Sequence, residues 1–436
     1  MLLRFRVRNH ASLRDEQTLS LVVPGLKSAI PRSGSWTDHL CKVAGIYGAN
    51  ASGKSNVLRA LRFISQAVLQ SATSWRKYKA FPHTTFALDS KHHDLPSLYE
   101  IDLLFEGVRY TYGFESGYSG VSSEWLYSYQ KSRPRTLFER TGDGIVFGRT
   151  LPGENQRIAR LLKPNVLYLS LAYELGHPLL EKVATAITDG IMYADYGEPD
   201  LTARLHWIWD PLKADAELLR KTAALLRLAD LGVSGVELTE REINDDLRVE
   251  LERIYGSSSS SEDESDKGAS AQIAIDNFRK RIRLGHTGSD NSIVHLNLES
   301  ESDGTIAWLS LVVPALYSMQ HGRTLVIDEI DASLHPRMTA MIIRLFKDEE
   351  LNKGGGQLIF SSHDSSLLGP LAGDRLEPYE VWFTEKSSDG SSSLYSLDEF
   401  TVRKQDNIER KYLQGRYGAV PMIGIEEIRH ALIGEH

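Results

Sequence analysis

The chain opens on a strict alternation. Leu3, Phe5 and Val7 fall on one side and Arg4, Arg6 and Arg8 on the other, which predicts a strand with one buried face. A turn follows at Asn9–Leu13, then a second strand is expected over Gln17 to Val23, and Pro24 to Leu40 reads as loop. Val43 to Tyr47 is apolar and β-prone, which predicts a buried strand. From Asn56 to Gln70, Leu58, Leu61, Ile64, Val68 and Leu69 recur at helical spacing. Residues 71–98 are polar and irregular. Tyr99 to Glu115 predicts a hairpin, with two alternating arms flanking Glu106-Gly107. Further strands are expected at Glu124–Tyr129 and Arg135–Glu139. Aromatic residues crowd this region (Tyr99, Phe105, Tyr110, Tyr112, Phe114, Trp125), which predicts an antiparallel sheet packed on a core. A stacking face for nucleic acid is the other use of such residues.

The pattern changes beyond residue 155. Helical periodicity runs through Gln156–Leu162, Pro178–Asp189, Asp215–Leu231 and Glu240–Ile254, predicting a compact helical insertion with no helix long enough for a coiled-coil arm. Gly256 to Gly268 is serine-rich and acidic; it cannot bury apolar surface and is expected to be a mobile loop. Apolar periodicity returns with a helix over Ile306 to Met319. A strand, Thr324 to Glu329, then ends in two carboxylates. Pro336 is placed to start a helix over Met338 to Lys347. Gln357 to Ser362 predicts a strand with His363 at its carboxyl end, and Tyr379–Thr384 with Ser393–Leu397 a hairpin. Strands alternating with helices give an α/β class. The expected domains are residues 1–150, an insertion over 151–285, and residues 286–436.

Composition narrows the function. The 436 residues carry 50 Lys and Arg against 58 Asp and Glu, a net charge of −8, so any nucleic-acid contact needs a local basic patch. The candidate patch holds Arg403, Lys404, Arg410, Lys411 and Arg416 near Tyr412 and Tyr417; a solvated surface explains it almost as well. Cys41 is the single cysteine, which excludes an intrachain disulfide and a cysteine metal cluster. His92-His93-Asp94 has metal-ligating types but lies in a polar loop with no second cluster at ligand spacing. Met1 to His10 is interrupted by arginines, unlike a signal peptide, and no uncharged apolar run approaches the ~18 residues that span a bilayer. The expected location is cytoplasmic, without membrane contact.

The chemistry centres on Gly48 to Ser55, which fits G-x-x-x-x-G-K-[ST] between a strand and a helix. Gly48 and Gly53 permit the tight turn that aims backbone N–H groups of Asn50, Ala51, Ser52 and their neighbours, through Asn56, at phosphate oxygens. Lys54 supplies a charge at the β- and γ-phosphates, and the Ser55 hydroxyl can ligate Mg²⁺. Asp328 is expected at the end of a parallel strand beside the phosphate-loop strand, where it would hold Mg²⁺. Glu329 would orient the attacking water, and His363 would sense the γ-phosphate. Glu301-Ser302-Asp303-Gly304-Thr305 makes a turn before a helix, a further anion-ready position.

Taken in this order, phosphate loop, Ser302-Asp303-Gly304, Asp328-Glu329 and His363 resemble the ABC-type ATPase heads of SMC and OLD proteins, and more closely the RloA/AbiL-type and PARIS AriA-type ATPases of anti-phage systems. Leu3 to Asn9, Asp328 to Pro336 and Tyr412 to Gly418 carry the rest of the likeness. The resemblance implies a P-loop NTPase head of ABC type with an antiparallel β subdomain, binding ATP and Mg²⁺. It implies a homodimer, or a higher even-numbered assembly, with two ATPs held between heads. Ser302, Asp303 and Gly304 of one head would meet the γ-phosphate bound by the other. It also implies a separate effector, a nuclease or toxin; DNA binding in repair or maintenance is the alternative. Glu301 and Asp303 depart from the usual Leu-Ser-Gly-Gly-Gln and add two carboxylates near phosphate, from which slow hydrolysis is expected. His335 stands where many such heads have an aspartate, and no Q-loop glutamine is identified.

Overall fold

The computed structural model describes all residues except 27, 32–34, 79, 195–197, 230–231, 259–271, 273–274, 370–374, 404, 421–428 and 430–436. In chain order the strands are β1 (Leu2–Arg8), β2 (Gln17–Ser20), β3 (Val43–Tyr47), β4 (Ser97–Phe105), β5 (Val108–Gly117), β6 (Gly120–Tyr129), β7 (Arg135–Thr141), β8 (Gly144–Phe147), β9 (Ile191–Ala194), β10 (Val233–Glu240), β11 (Lys280–Thr287), β12 (Ile293–Asn297), β13 (Thr324–Ile327), β14 (Gln357–Ser362), β15 (Val381–Lys386) and β16 (Ser392–Ser396). The helices that matter below are α1 (Lys54–Gln70), α2 (Tyr168–Glu174), α3 (Leu180–Thr188), α4 (Ala216–Leu228), α5 (Asp303–His321), α6 (Pro336–Lys347) and α7 (Ile408–Leu413). The chain divides into two units. One is Met1–Tyr193 with Ser318–Asp331 and Thr339–His436; the other is Ala194–Tyr317 with Ala332–Met338.

The first unit is α/β and holds two sheets. The central one runs β16-β15-β3-β14-β13-β9, with β15, β3, β14 and β13 parallel to one another and β16 antiparallel to β15. Its inner strands are buried on both faces, as their continuous apolar runs require. The expectation that Asp328 ends a strand beside the phosphate-loop strand is corrected: β14 lies between β3 and β13. Both neighbours are parallel apolar runs, so hydrophobic pattern alone does not rank them. The second sheet, β2-β1-β4-β5-β6-β7-β8, is antiparallel throughout. Val7, Phe5, Tyr99, Ile101, Tyr112 and Phe114 are buried in its core, and the crowded aromatics pack there. On the other face arginines and acids alternate: Arg4 and Arg109 both reach Asp102, Arg6 reaches Glu100 and Arg8 reaches Glu115.

Helix α1 buries Leu58, Leu61, Ile64 and Val68 of the apolar stripe read from its spacing, together with Val57, while Leu69, expected in the same stripe, is exposed in the last turn. One buried acid ties the second sheet to α2. Glu124 accepts hydrogen bonds from the backbone N–H groups of Tyr168 (2.6 Å) and Leu169 (2.9 Å) and from the Tyr112 hydroxyl (3.0 Å). Arg140 stands 3.8 Å away. Burial raises the carboxyl's pKa and these partners oppose the rise. Cys41 is also buried. Its thiol donates to the Leu21 carbonyl at 2.9 Å, and burial pushes its pKa up to about 12.

The second unit corrects the expectation of a purely helical insertion. Beside helices such as α4 it carries the antiparallel sheet β10-β11-β12. β10 interrupts its alternation with Gly235, and its partner β11 lies some forty residues on, so neither strand has a local signature. Of the expected mobile loop 256–268, residues 256–258 close a helix (Asp245–Ser258) and residues 259–268 lie outside the described residues.

Near the end of the chain, Tyr412 on α7 and Tyr417 are buried and stack on Phe383, with ring centroids 5.3 and 5.9 Å away. The tyrosines near the basic cluster are therefore core residues. Lys411 is paired with Asp406 at 2.5 Å, and Lys404 lies outside the described residues.

Candidate functional site

The phosphate loop leaves β3 at Gly48 and enters α1 at Lys54. Its two glycines are required by close packing as well as by backbone angle. A Cβ on Gly48 would lie 2.5 Å from the Thr384 carbonyl oxygen, and one on Gly53 (φ +114°) 2.5 Å from the Ser392 hydroxyl. Both obstacles belong to the β15–β16 hairpin. Ser52 Oγ and Thr384 Oγ1 are 2.6 Å apart, so the hairpin also holds the loop by a hydrogen bond. Ala51 sits at φ +61°, the left-handed conformation that the curl of the loop imposes.

Lys54 is buried, and its ammonium donates to the Gly48 carbonyl (2.8 Å) and the Ala49 carbonyl (3.0 Å). Burial lowers its pKa to about 8, against the pull of Asp328, Glu329 and Asp331. His363 Nδ1 lies 3.3 Å from the same ammonium. On its other side His363 Nε2 is 3.6 Å from the Glu329 carboxylate. The structure thus brings together Lys54, Glu329 and His363, which are far apart in the chain. The phosphate loop from Asn50 to Asn56, with Arg59, Glu329, His363 and Lys386, lines one cleft of about 620 Å³.

Two residues missed in the sequence hold this arrangement. Ser361 donates to Asp328 Oδ1 at 2.5 Å and accepts the Glu329 backbone N–H at 2.8 Å, while its carbonyl accepts the Ile330 N–H at 3.0 Å. Glu329 itself has φ +54°, an unfavourable conformation for a residue with a Cβ, and these bonds keep it there. Asp331 accepts the His363 backbone N–H at 3.3 Å. The available signal for Ser361 was a hydroxyl at the end of an apolar strand, two residues before the histidine.

Ser55 Oγ has no hydrogen-bond partner among the described residues, and Asp328 is half-buried near the same loop with one oxygen committed to Ser361. A hydroxyl and a carboxylate are oxygen donors of the type Mg²⁺ takes. The fit is good.

Ser302, Asp303 and Gly304 belong to the second unit. Ser302 Oγ accepts the Thr305 N–H at 3.2 Å and so caps α5. Of the two acids at this turn, Glu301 turns its covered side chain to His286, 2.8 Å from Nε2, while Asp303 is exposed. His335 caps α6, its Nδ1 accepting the Arg337 N–H at 3.2 Å.

A family model described as "AAA domain, putative AbiEii toxin, Type IV TA system" matches residues 43–369, from the phosphate-loop strand past His363. The chain belongs to this AAA family. No curated protein matches the sequence. Among solved structures, it is similar to an SMC head bound to the C-terminal winged-helix domain of ScpA, at 14% identity and a TM-score of 0.44, covering 94% of this chain and 99% of that one. It is also similar to the SMC head domain from Thermotoga maritima, at 13% identity and a TM-score of 0.39, covering 92% and 99%. For an SMC head with an extended coiled coil, bound to a ScpA domain and derived from Pyrococcus furiosus, the values are 14% and 0.40, covering 98% and 99%. Similarity at this level carries no functional inference. Among the described residues no helix is long and apolar enough to cross a membrane.

Proposed function

We propose that this AAA-family protein is an ABC-type ATPase that hydrolyses ATP with Mg²⁺, closes as a dimer around it, and acts as the sensor of a separate effector in anti-phage defence. The convergence of Lys54, His363 and Glu329 beside the phosphate loop supports hydrolysis most directly, because an anion binder alone has no need of a carboxylate there.

The roles follow from position. Backbone N–H groups from Asn50 to Asn56 and the Lys54 ammonium bind the phosphates. Ser55 and Asp328 would hold Mg²⁺, which when bound neutralises charge on the β- and γ-oxygens. Glu329 orients a water for in-line attack on the γ-phosphorus and accepts its proton as the new O–P bond forms, while the bond from the γ-phosphorus to the β–γ bridging oxygen breaks and ADP leaves. His363 donates to a γ-oxygen from beside Lys54. Ser361 and Asp331 are positioning residues, the first for both carboxylates and the second for the His363 backbone. In the dimer, Ser302 and Gly304 of one copy would donate to the γ-phosphate bound by the other, with Asp303 beside them. ATP then favours closure because it touches both copies only in the closed state.

The family description, which names a toxin–antitoxin system, supports an effector-linked role. The test is to express Glu329→Gln with its genomic neighbours, purify it in Mg-ATP and measure native mass. An even number of heads with a second polypeptide is expected. A bare dimer that captures DNA would replace the effector role by DNA maintenance, and a monomer unaffected by ATP would overturn closure.

A further inference from the structure

Two cations in the cleft lie outside the motif. Arg59 and Lys386 both line it and are exposed, and neither side chain has a carboxylate or hydrogen-bond partner among the described residues. By contrast, the half-buried arginines of β1, Arg4, Arg6 and Arg8, are each paired with an acid. Unpaired cations that share a cleft with a phosphate loop point to an anionic ligand group.

Topology says which group. β3 has β14 on one side and β15 on the other. Glu329 and His363 stand at the ends of β13 and β14, so the γ-phosphate end lies on that flank, where His363 meets Lys54. Lys386 ends β15 on the opposite flank. Its aim is fixed by Thr384, two residues earlier and therefore on the same face of the strand, which is bonded to Ser52 of the loop. The hairpin that carries it is anchored again at its far arm, where the Ser392 hydroxyl donates to Ser12 Oγ at 2.7 Å and the Ser392 N–H to the Ser12 carbonyl at 2.7 Å. The turn is pinned by Arg14 to Asp389 at 2.6 Å. Arg59 lies one helical turn along α1 from Ser55 and Asn56, on the face they share.

We infer that Arg59 and Lys386 grip the α-phosphate and nucleoside end of the nucleotide, so that the head holds ADP by the same two cations as ATP. This rests on the ATP-binding reading above. It assigns the γ-end residues to discrimination of ATP from ADP, and these two to affinity for both.

The experiment is calorimetric titration of ADP and of ATP, with Mg²⁺, into wild type, Arg59→Ala, Lys386→Ala and Lys386→Arg. Each alanine variant is expected to weaken ADP and ATP by the same factor, about 10-fold, the lower end for a charge-assisted contact. Lys386→Arg is expected to restore most of the loss, which separates lost charge from a disturbed hairpin. Unchanged ADP affinity in both alanine variants, or weakening of ATP alone, would overturn the assignment. If wild type binds neither nucleotide, the ATP-binding reading itself fails, a distinct result.

Discussion

At the scale of single residues, Ser361 decides how well two carboxylates are aimed. Among the described residues its side chain makes no hydrogen bond to the phosphate loop; it bonds Asp328 and the backbone N–H of Glu329. Ser361→Ala is expected to leave ATP affinity within about two-fold and to lower turnover by about 10–100-fold, the usual effect of losing an outer-shell partner. Steady-state kinetics with separate ATP titration checks this; equal loss in affinity and turnover would assign Ser361 to binding instead. Lys54 gives a pH prediction. Its pKa is lowered to about 8, so the free site is cationic below that value and loses its proton above it. An anionic ligand favours the protonated form, so ATP affinity is expected to be level from pH 6.5 to about 7.5 and to fall as pH rises through 8, with proton uptake on binding. Titrations across pH 6.5–9.5 read this, and a flat profile would contradict it.

At the scale of elements, the phosphate loop was legible because its information is local: a strand, fixed glycines, Lys54-Ser55 and a helix stand within one short stretch. The α1 stripe and the Glu106-Gly107 hairpin were legible for the same reason. Ser361 was not, because its role depends on register. Ile327 pairs with Phe360 in the parallel β13–β14 ladder, which places Asp328 beside Ser361, and no spacing in the chain reveals that pairing. The β10–β11 ladder was hidden likewise by sequence separation, and the β14 position between β3 and β13 by the sameness of buried parallel strands. Glu124 belongs at this scale too, since it joins the antiparallel sheet to the start of α2. Glu124→Ala leaves Arg140 buried without its carboxylate and strips two backbone N–H groups of their acceptor. The expected cost is about 3–5 kcal/mol, read by urea unfolding. A loss under ~1 kcal/mol would show that the raised carboxyl pKa already offsets the network's contribution.

At the scale of the whole molecule, the phosphate-loop cleft is lined by residues of the first unit, and the Ser302-Asp303-Gly304 turn belongs to the second. In the dimer proposed above, this turn serves the nucleotide bound by another copy. Ser302→Arg is therefore expected to leave ATP binding by the isolated chain unchanged and to abolish ATP-dependent dimerisation, as measured by native mass. ATP-dependent dimers in that variant would remove the turn from the interface.

Hydrolysis directed by Glu329 is the step on which the proposed function depends. The most direct measurement is single-turnover conversion of ATP to ADP, with Mg²⁺, by wild type and by Glu329→Gln, alongside their ATP affinities. The predicted result is conversion by wild type and a rate lower by about 10²–10⁴-fold in the variant, the range for a lost general base, with affinity unchanged. Equal rates in the two proteins would contradict it, and would mean that the carboxylate held in place by Ser361 is not the group that directs the water.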